Sequence, residues 1–80
     1  MTRRKPSCKS RLDAYKVWVF LNRLNIAQNE LARMAGISSG YLSQLMTGTR
    51  RPSPETRRRL MKVLGVSNFE DLFVLENVDE

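Results

Sequence analysis

The sequence predicts an all-α domain of five short helices. Three observations carry that reading. Val17, Phe20, Leu21 and Leu24 recur at the i, i+3, i+4, i+7 spacing of one helical face. Gly36, Gly48 and Gly65 each follow an amphipathic stretch, at the place where helices end in a left-handed residue. No segment alternates apolar and polar residues for long enough to specify a strand.

The elements follow in order. Residues 1–9 form a basic arm carrying Arg3, Arg4, Lys5 and Lys9, with too few apolar residues to anchor it, and it is expected to be flexible. The first helix is expected over residues 11–24, with Ser10 as N-cap and Asp13 three residues on. Tyr15, Trp18 and Val19 widen its apolar face beyond an ordinary stripe, so it needs a cover, either the C-terminal segment or a second subunit. A second helix fits residues 28–35, with Leu31, Ala32 and Ala35 inward and Gly36 ending it. Ile37 is a plug between elements. Ser38 caps a third helix over 39–46, whose Leu42 and Leu45 point inward, and Gly48 ends it. Thr49-Arg50-Arg51-Pro52 is a basic loop. Ser53 at the N-cap and Pro54 at the first helical position open a fourth helix over 54–64, with Leu60, Met61 and Leu64 inward. Ser67-x-x-Glu70 has capping-box spacing and predicts a fifth helix over 68–75, with Phe69, Leu72, Phe73 and Val74 as its apolar residues. The main domain is expected over 10–76, with an acidic tail, 77–80, that frays.

Composition narrows the function. Eighty residues make one domain. With no histidine and a single cysteine, Cys8, a His-based catalytic triad, a Cys/His zinc site and an internal disulfide are excluded. No nucleophile–base pair or Gly-rich phosphate loop is present, so neither an enzyme nor a cofactor is expected, and no small-molecule ligand is evident. The longest apolar run, Val17 to Leu21, is far short of a membrane span, which needs about 20 residues. The N-terminus lacks the apolar block of a signal peptide, so a cytoplasmic location is expected. Charge supplies the positive clue. Residues 1–62 hold all 14 Lys and Arg against three acids, and residues 63–80 hold five acids and no base. A basic body with an acidic tail suits a polyanionic partner, above all nucleic acid.

Residues 28–47 form the informative unit. Small Ala32, helix-ending Gly36, buried Ile37, and Leu42 and Leu45 three apart are what two short, steeply crossing helices joined by a tight turn require. The stretch Ile26-Ala27-Gln28-Asn29-Glu30-Leu31-Ala32, followed by Ala35-Gly36-Ile37-Ser38, Leu42-Ser43-Gln44-Leu45, Gly48, Arg51-Pro52-Ser53 and Leu64-Gly65-Val66, resembles a phage-repressor (Cro/XRE-type) helix-turn-helix domain. The resemblance spans roughly residues 12–73. It implies a five-helix, lambda-repressor-like fold and a sequence-specific transcriptional regulator that binds double-stranded DNA, commonly as a homodimer on a near-palindromic site. The chain departs from the family pattern at Ala27, often a capping Thr or Ser, at Met46, often Glu, and at Arg57 and Arg58, often apolar. Loss of the Ala27 cap costs about 0.5–2 kcal/mol unless Asn25 or the arm replaces it.

What the resemblance implies for individual residues is as follows. Gln28 and Ser38, at the starts of the second and third helices, match phosphate-gripping positions. Ser39, Gly40, Tyr41 and Gln44 match the groove-facing positions of the recognition helix. The Gln44 amide suits bidentate pairing with adenine. Ser39 suits several base edges, and Tyr41 a thymine methyl or a phosphate. Gly40 reads nothing and lets the helix approach closely. Thr47, Thr49, Arg50 and Arg51 match the backbone-gripping loop, and Arg3, Arg4 and Lys5 could enter a minor groove or follow the phosphates. Of Arg57, Arg58 and Arg59, which span most of a helical turn, at most two are expected near DNA. An antitoxin or adapter, binding protein through the acidic tail and the Trp18 face, is the alternative. The apolar residues of the first helix and of 69–74 could form a dimer interface or seal the monomer's own core.

Overall fold

The computed structural model describes residues 8–77. Met1 to Ser7, including Arg3, Arg4 and Lys5, and the last three residues lie outside the described residues. The chain builds a strand β1 (Cys8–Leu12), helices α1 (Ala14–Leu24), α2 (Gln28–Ala35), α3 (Ser39–Thr47) and α4 (Pro54–Leu64), a 3₁₀ turn (Phe69–Asp71) and a strand β2 (Phe73–Asn77).

The expected second and fourth helices have the bounds seen, and the third is longer by one residue, because local caps fix them. The Ser38 hydroxyl accepts the Tyr41 N–H at 3.0 Å and that of Ser53 the Thr56 N–H at 3.2 Å. Gly36, at φ 73°, closes α2 in the left-handed region that favours glycine. Asn25 does not replace the missing cap at Ala27. The Glu30 carboxylate accepts the Ala27 N–H at 3.0 Å, half of a capping box, while Asn25 ends α1 in the left-handed region at φ 57°.

The ends of the domain differ from the all-α, five-helix expectation. Among the described residues there are four α-helices, and the predicted fifth is a single 3₁₀ turn followed by β2. Residues 11 and 12, assigned above to the first helix, belong to β1. Ser10 lies within that strand, and Asp13 is the N-cap, its carboxylate accepting the Lys16 N–H at 3.3 Å. Cys8 and Lys9, placed above in the arm, are also in β1. The physical reason is pairing. β1 and β2 run antiparallel with Leu12 opposite Phe73, Ser10 opposite Leu75 and Cys8 opposite Asn77. Leu12 and Phe73 are each 1% exposed, and the Phe69 and Phe73 rings stack at 5.1 Å. The Asp13 N–H donates to the Leu72 carbonyl at 2.8 Å, tying the start of α1 to the chain end. Once each strand supplies the other's hydrogen bonds, neither segment needs to be helical.

The core unites Leu12, Val17 and Leu21 with Leu31, Ala32 and Ala35 of α2, Leu42 and Leu45 of α3, Leu60 and Leu64 of α4, and Leu72 and Phe73. Complete burial of Leu42 and Leu45 stabilises by about 1.5–3 kcal/mol each and fixes which side of α3 faces outward. α2 packs against α3 and α4, while α1 and β1 pack against α3. Leu72 and Phe73 thus seal the monomer's own core, whereas Tyr15 and Trp18 stay exposed, at 75% and 47%. Among the described residues, no helix is long and apolar enough to cross a membrane.

Candidate nucleic-acid interface

With Leu42 and Leu45 inward, the roughly 100° advance per residue brings Gly40, Ser43, Gln44 and Thr47 to the outer side of α3, with Ser39 and Tyr41 on its flanks. Ser39, Gly40, Ser43, Gln44 and Thr47 are all exposed. Ser43 is not among the groove-facing positions that the family resemblance implies. Its signal was available in the helical spacing, since position 43 lies one turn beyond both 39 and 40. Tyr41 is half-buried instead. Its hydroxyl lies 3.5 Å from Thr56 Oγ1, and the Arg50 guanidinium sits 5.5 Å from its ring centre. Tyr41 therefore supports Arg50 from below while its backbone N–H completes the Ser38 cap.

Gly40 has no intramolecular reason to be glycine. Nothing lies within 4 Å of where its Cβ would stand. A glycine inside a helix costs about 0.5–1 kcal/mol relative to alanine. Its bare backbone leaves the outer face of α3 low at that point.

The loop after α3 is held tightly. The Gln44 carbonyl accepts the N–H groups of Thr49 at 2.9 Å and Arg50 at 3.2 Å, and the Thr47 hydroxyl at 3.2 Å. The Thr47 and Thr49 hydroxyls are 2.9 Å apart. Arg51 reaches back to the sheet, its Nη1 lying 2.9 Å from Glu76 Oε1 and donating to the Ser10 carbonyl at 3.4 Å. Arg11 Nε donates to the other Glu76 oxygen at 2.8 Å. The Arg11 guanidinium, and then that of Arg51, hold the Glu76 carboxyl below the usual carboxylate range.

Gln28 is half-buried as the first residue of α2, where the opening backbone N–H groups lack helical acceptors, and Ser38 is an exposed cap on α3. Of the α4 arginines, two serve the fold. Arg59 donates through Nη1 to the Gly36 carbonyl at 3.3 Å and pairs through Nη2 with Glu55 at 2.8 Å, while Arg57 donates to the Pro52 carbonyl at 3.1 Å. The structure thus brings Ser39, Gly40, Gln44 and Thr47 onto one exposed surface with Thr49 and Arg50 beyond it, and turns Tyr41 and Arg51 partly toward the protein. Among the described residues, no group of acidic, cysteine or histidine side chains could hold a metal ion.

Comparison with known proteins agrees with this geometry. A helix-turn-helix family model matches residues 20–67. No curated protein matches the sequence. A crystal structure of the transcriptional regulator VanUg shares the fold, with a TM-score of 0.70 at 17% identity, over 95% of this chain and 99% of that one. The chain belongs to the Cro/XRE-type helix-turn-helix family, and the match supports a DNA-binding transcriptional regulator.

Proposed function

We propose that the chain is a sequence-specific repressor that binds double-stranded DNA with α3 in the major groove. The observation that carries this reading is the outer face of α3, where Gly40, Ser43 and Gln44 are exposed while Leu42 and Leu45 are wholly buried. A nine-residue helix is about 13 Å long, close to the roughly 12 Å width of the groove, so the groove walls fall near its two ends. Gln44 reads a base through its amide, and Ser39 and Ser43 contact neighbouring edges. Gly40 lets the backbone come close, and Tyr41 lies at the rim. Gln28 and Ser38 grip phosphate at helix starts, where the dipole favours an anion. Thr47, Thr49, Arg50 and Arg51 grip the opposite wall. Arg3, Arg4 and Lys5, ahead of β1, follow the backbone or enter the minor groove.

A homodimer on a near-palindromic site doubles the contact surface, which one small module needs for high affinity. The protein then works in the cytoplasm, on the nucleoid when bound. Fluorescence anisotropy on duplex DNA across a salt series tests the reading. With about six phosphates contacted, log K falls against log salt with a slope near −5. Absence of salt-sensitive duplex binding overturns it. The second reading, an antitoxin or adapter that binds a protein, draws on Tyr15 and Trp18, which the fold leaves uncovered on α1.

A further inference from the structure

The sheet register sorts its side chains. Leu12, Ser10, Phe73 and Leu75 share one face, and Lys9, Arg11, Val74 and Glu76 the other. The second face lies beside the loop that follows α3. Arg11 passes next to Gly48, its Cδ 3.9 Å from where a Cβ on that glycine would be. Arg51, from the same loop, meets Arg11 on a single carboxylate. Lys9, Ser10, Arg51 and Arg57 line a shallow polar depression there. Arg11 and Arg51 therefore meet on one acid, Glu76, with Lys9 opposite it in the sheet register and Arg57 lining the same depression as Lys9 and Arg51. Both Glu76-paired arginines keep more than a third of their side-chain surface open to solvent. A guanidinium has five N–H donors, so the contact of Arg11 with Glu76, and those of Arg51 with Glu76 and the Ser10 carbonyl, leave further donors on each fork for a phosphate.

We propose that this face of the sheet extends the DNA-backbone contact, with Arg11 as a phosphate-binding residue and Glu76 as the internal counter-charge that a phosphate displaces from Arg11 and Arg51. The inference rests on the proposed DNA-binding function and adds to it a surface outside the helix-turn-helix. In the free protein, Glu76 neutralises part of a patch that would otherwise repel itself. On DNA, the phosphate row takes over that role. Glu76 therefore lowers the affinity for every duplex alike, because it competes for the groups the backbone needs.

The test measures binding of the full chain to a labelled duplex of random sequence over a salt series, for wild type, Arg11→Gln and Glu76→Gln, with a thermal melt of each. Arg11→Gln is expected to bind several-fold more weakly, with a salt slope smaller by about 0.9. Glu76→Gln is expected to bind several-fold more tightly, with a slope at least as steep as wild type. The two variants break the same ion pair, so opposite signs separate a phosphate contact from a structural one. Equal weakening in both, or unchanged binding in Arg11→Gln, overturns the proposal while wild type still binds. Loss of salt-sensitive binding in wild type overturns the underlying function instead. Should Arg11→Gln fail to fold, Arg11→Lys keeps the charge and is expected to hold the wild-type slope, and the sign of the Glu76→Gln change decides.

Discussion

The α2–α3 pair and the β1–β2 sheet fix the same domain by opposite means. In the pair, each anchor lies a few residues from its partner: Ser38 caps the turn that begins α3, and Gly36 ends the helix before it. In the sheet, every pairing joins the two ends of the chain, Leu12 with Phe73 and Arg11 with Glu76. The pair leaves one polar face outward and free. The sheet puts Leu12 and Phe73 of one face into the core and carries the ion pairs of Glu76 on the other. The comparison teaches that the reading surface is set locally, whereas the frame that holds it rigid is closed only when distant segments meet.

The strongest way to break that comparison is to damage the sheet and watch the helices. Phe73→Ala is expected to cost about 3–5 kcal/mol and to lower the melting of the whole domain as one transition, since Phe73 is part of the shared core. Helical signal that survives in a separate, later transition would make the sheet an appendage. The reverse change touches the outer face of α3 alone. Gln44→Ala should relax discrimination at one base pair by about 1–3 kcal/mol and leave the melting temperature unmoved, as read by gel shifts on singly substituted operators and by calorimetry.

Smaller effects sharpen the contrast. Gly36→Ala should destabilise by roughly 1–2 kcal/mol, because its φ is positive. A Cβ there would also stand 2.9 Å from Arg59 Nη1 and disturb that side chain's bond to the Gly36 carbonyl. Gly40→Ala is expected to act with opposite signs, raising stability by up to about 1 kcal/mol in urea unfolding while weakening operator binding. The least effect is that of acid on Glu76. Its folded pKa is lowered, so the carboxylate stabilises the fold fully above the unfolded value and the contribution is lost as pH falls through the folded one. The stability difference between wild type and Glu76→Gln should be present near neutrality and vanish below the carboxylate range.

The same contrast explains what could be read from the chain beforehand. Ser53-Pro54 and Gly65 bracket α4, and Gln28 and Gly36 bracket α2, because caps and stops act within one turn. The sheet was hidden because Cys8-Lys9-Ser10-Arg11-Leu12 buries only Leu12, and its partner strand lies at the far end of the sequence. Ser67-x-x-Glu70 has helix-starting spacing, but it opened only a 3₁₀ turn, and Phe73 pairs with Leu12 of β1 instead of extending that turn. At the candidate interface, the outward positions of α3 follow from Leu42 and Leu45, and Ser43 belonged with them. The link from Arg51 to Glu76, and the support of Arg50 by Tyr41, depend on tertiary placement and could not be read from spacing.

The central claim is that α3 reads base edges. A selection of bound duplexes from a random DNA pool, run in parallel with wild type and Gln44→Ala, tests it most directly. The account predicts a defined motif for wild type and loss of preference at one base pair of it for the variant. No enriched motif, or the same motif from both proteins, would contradict it.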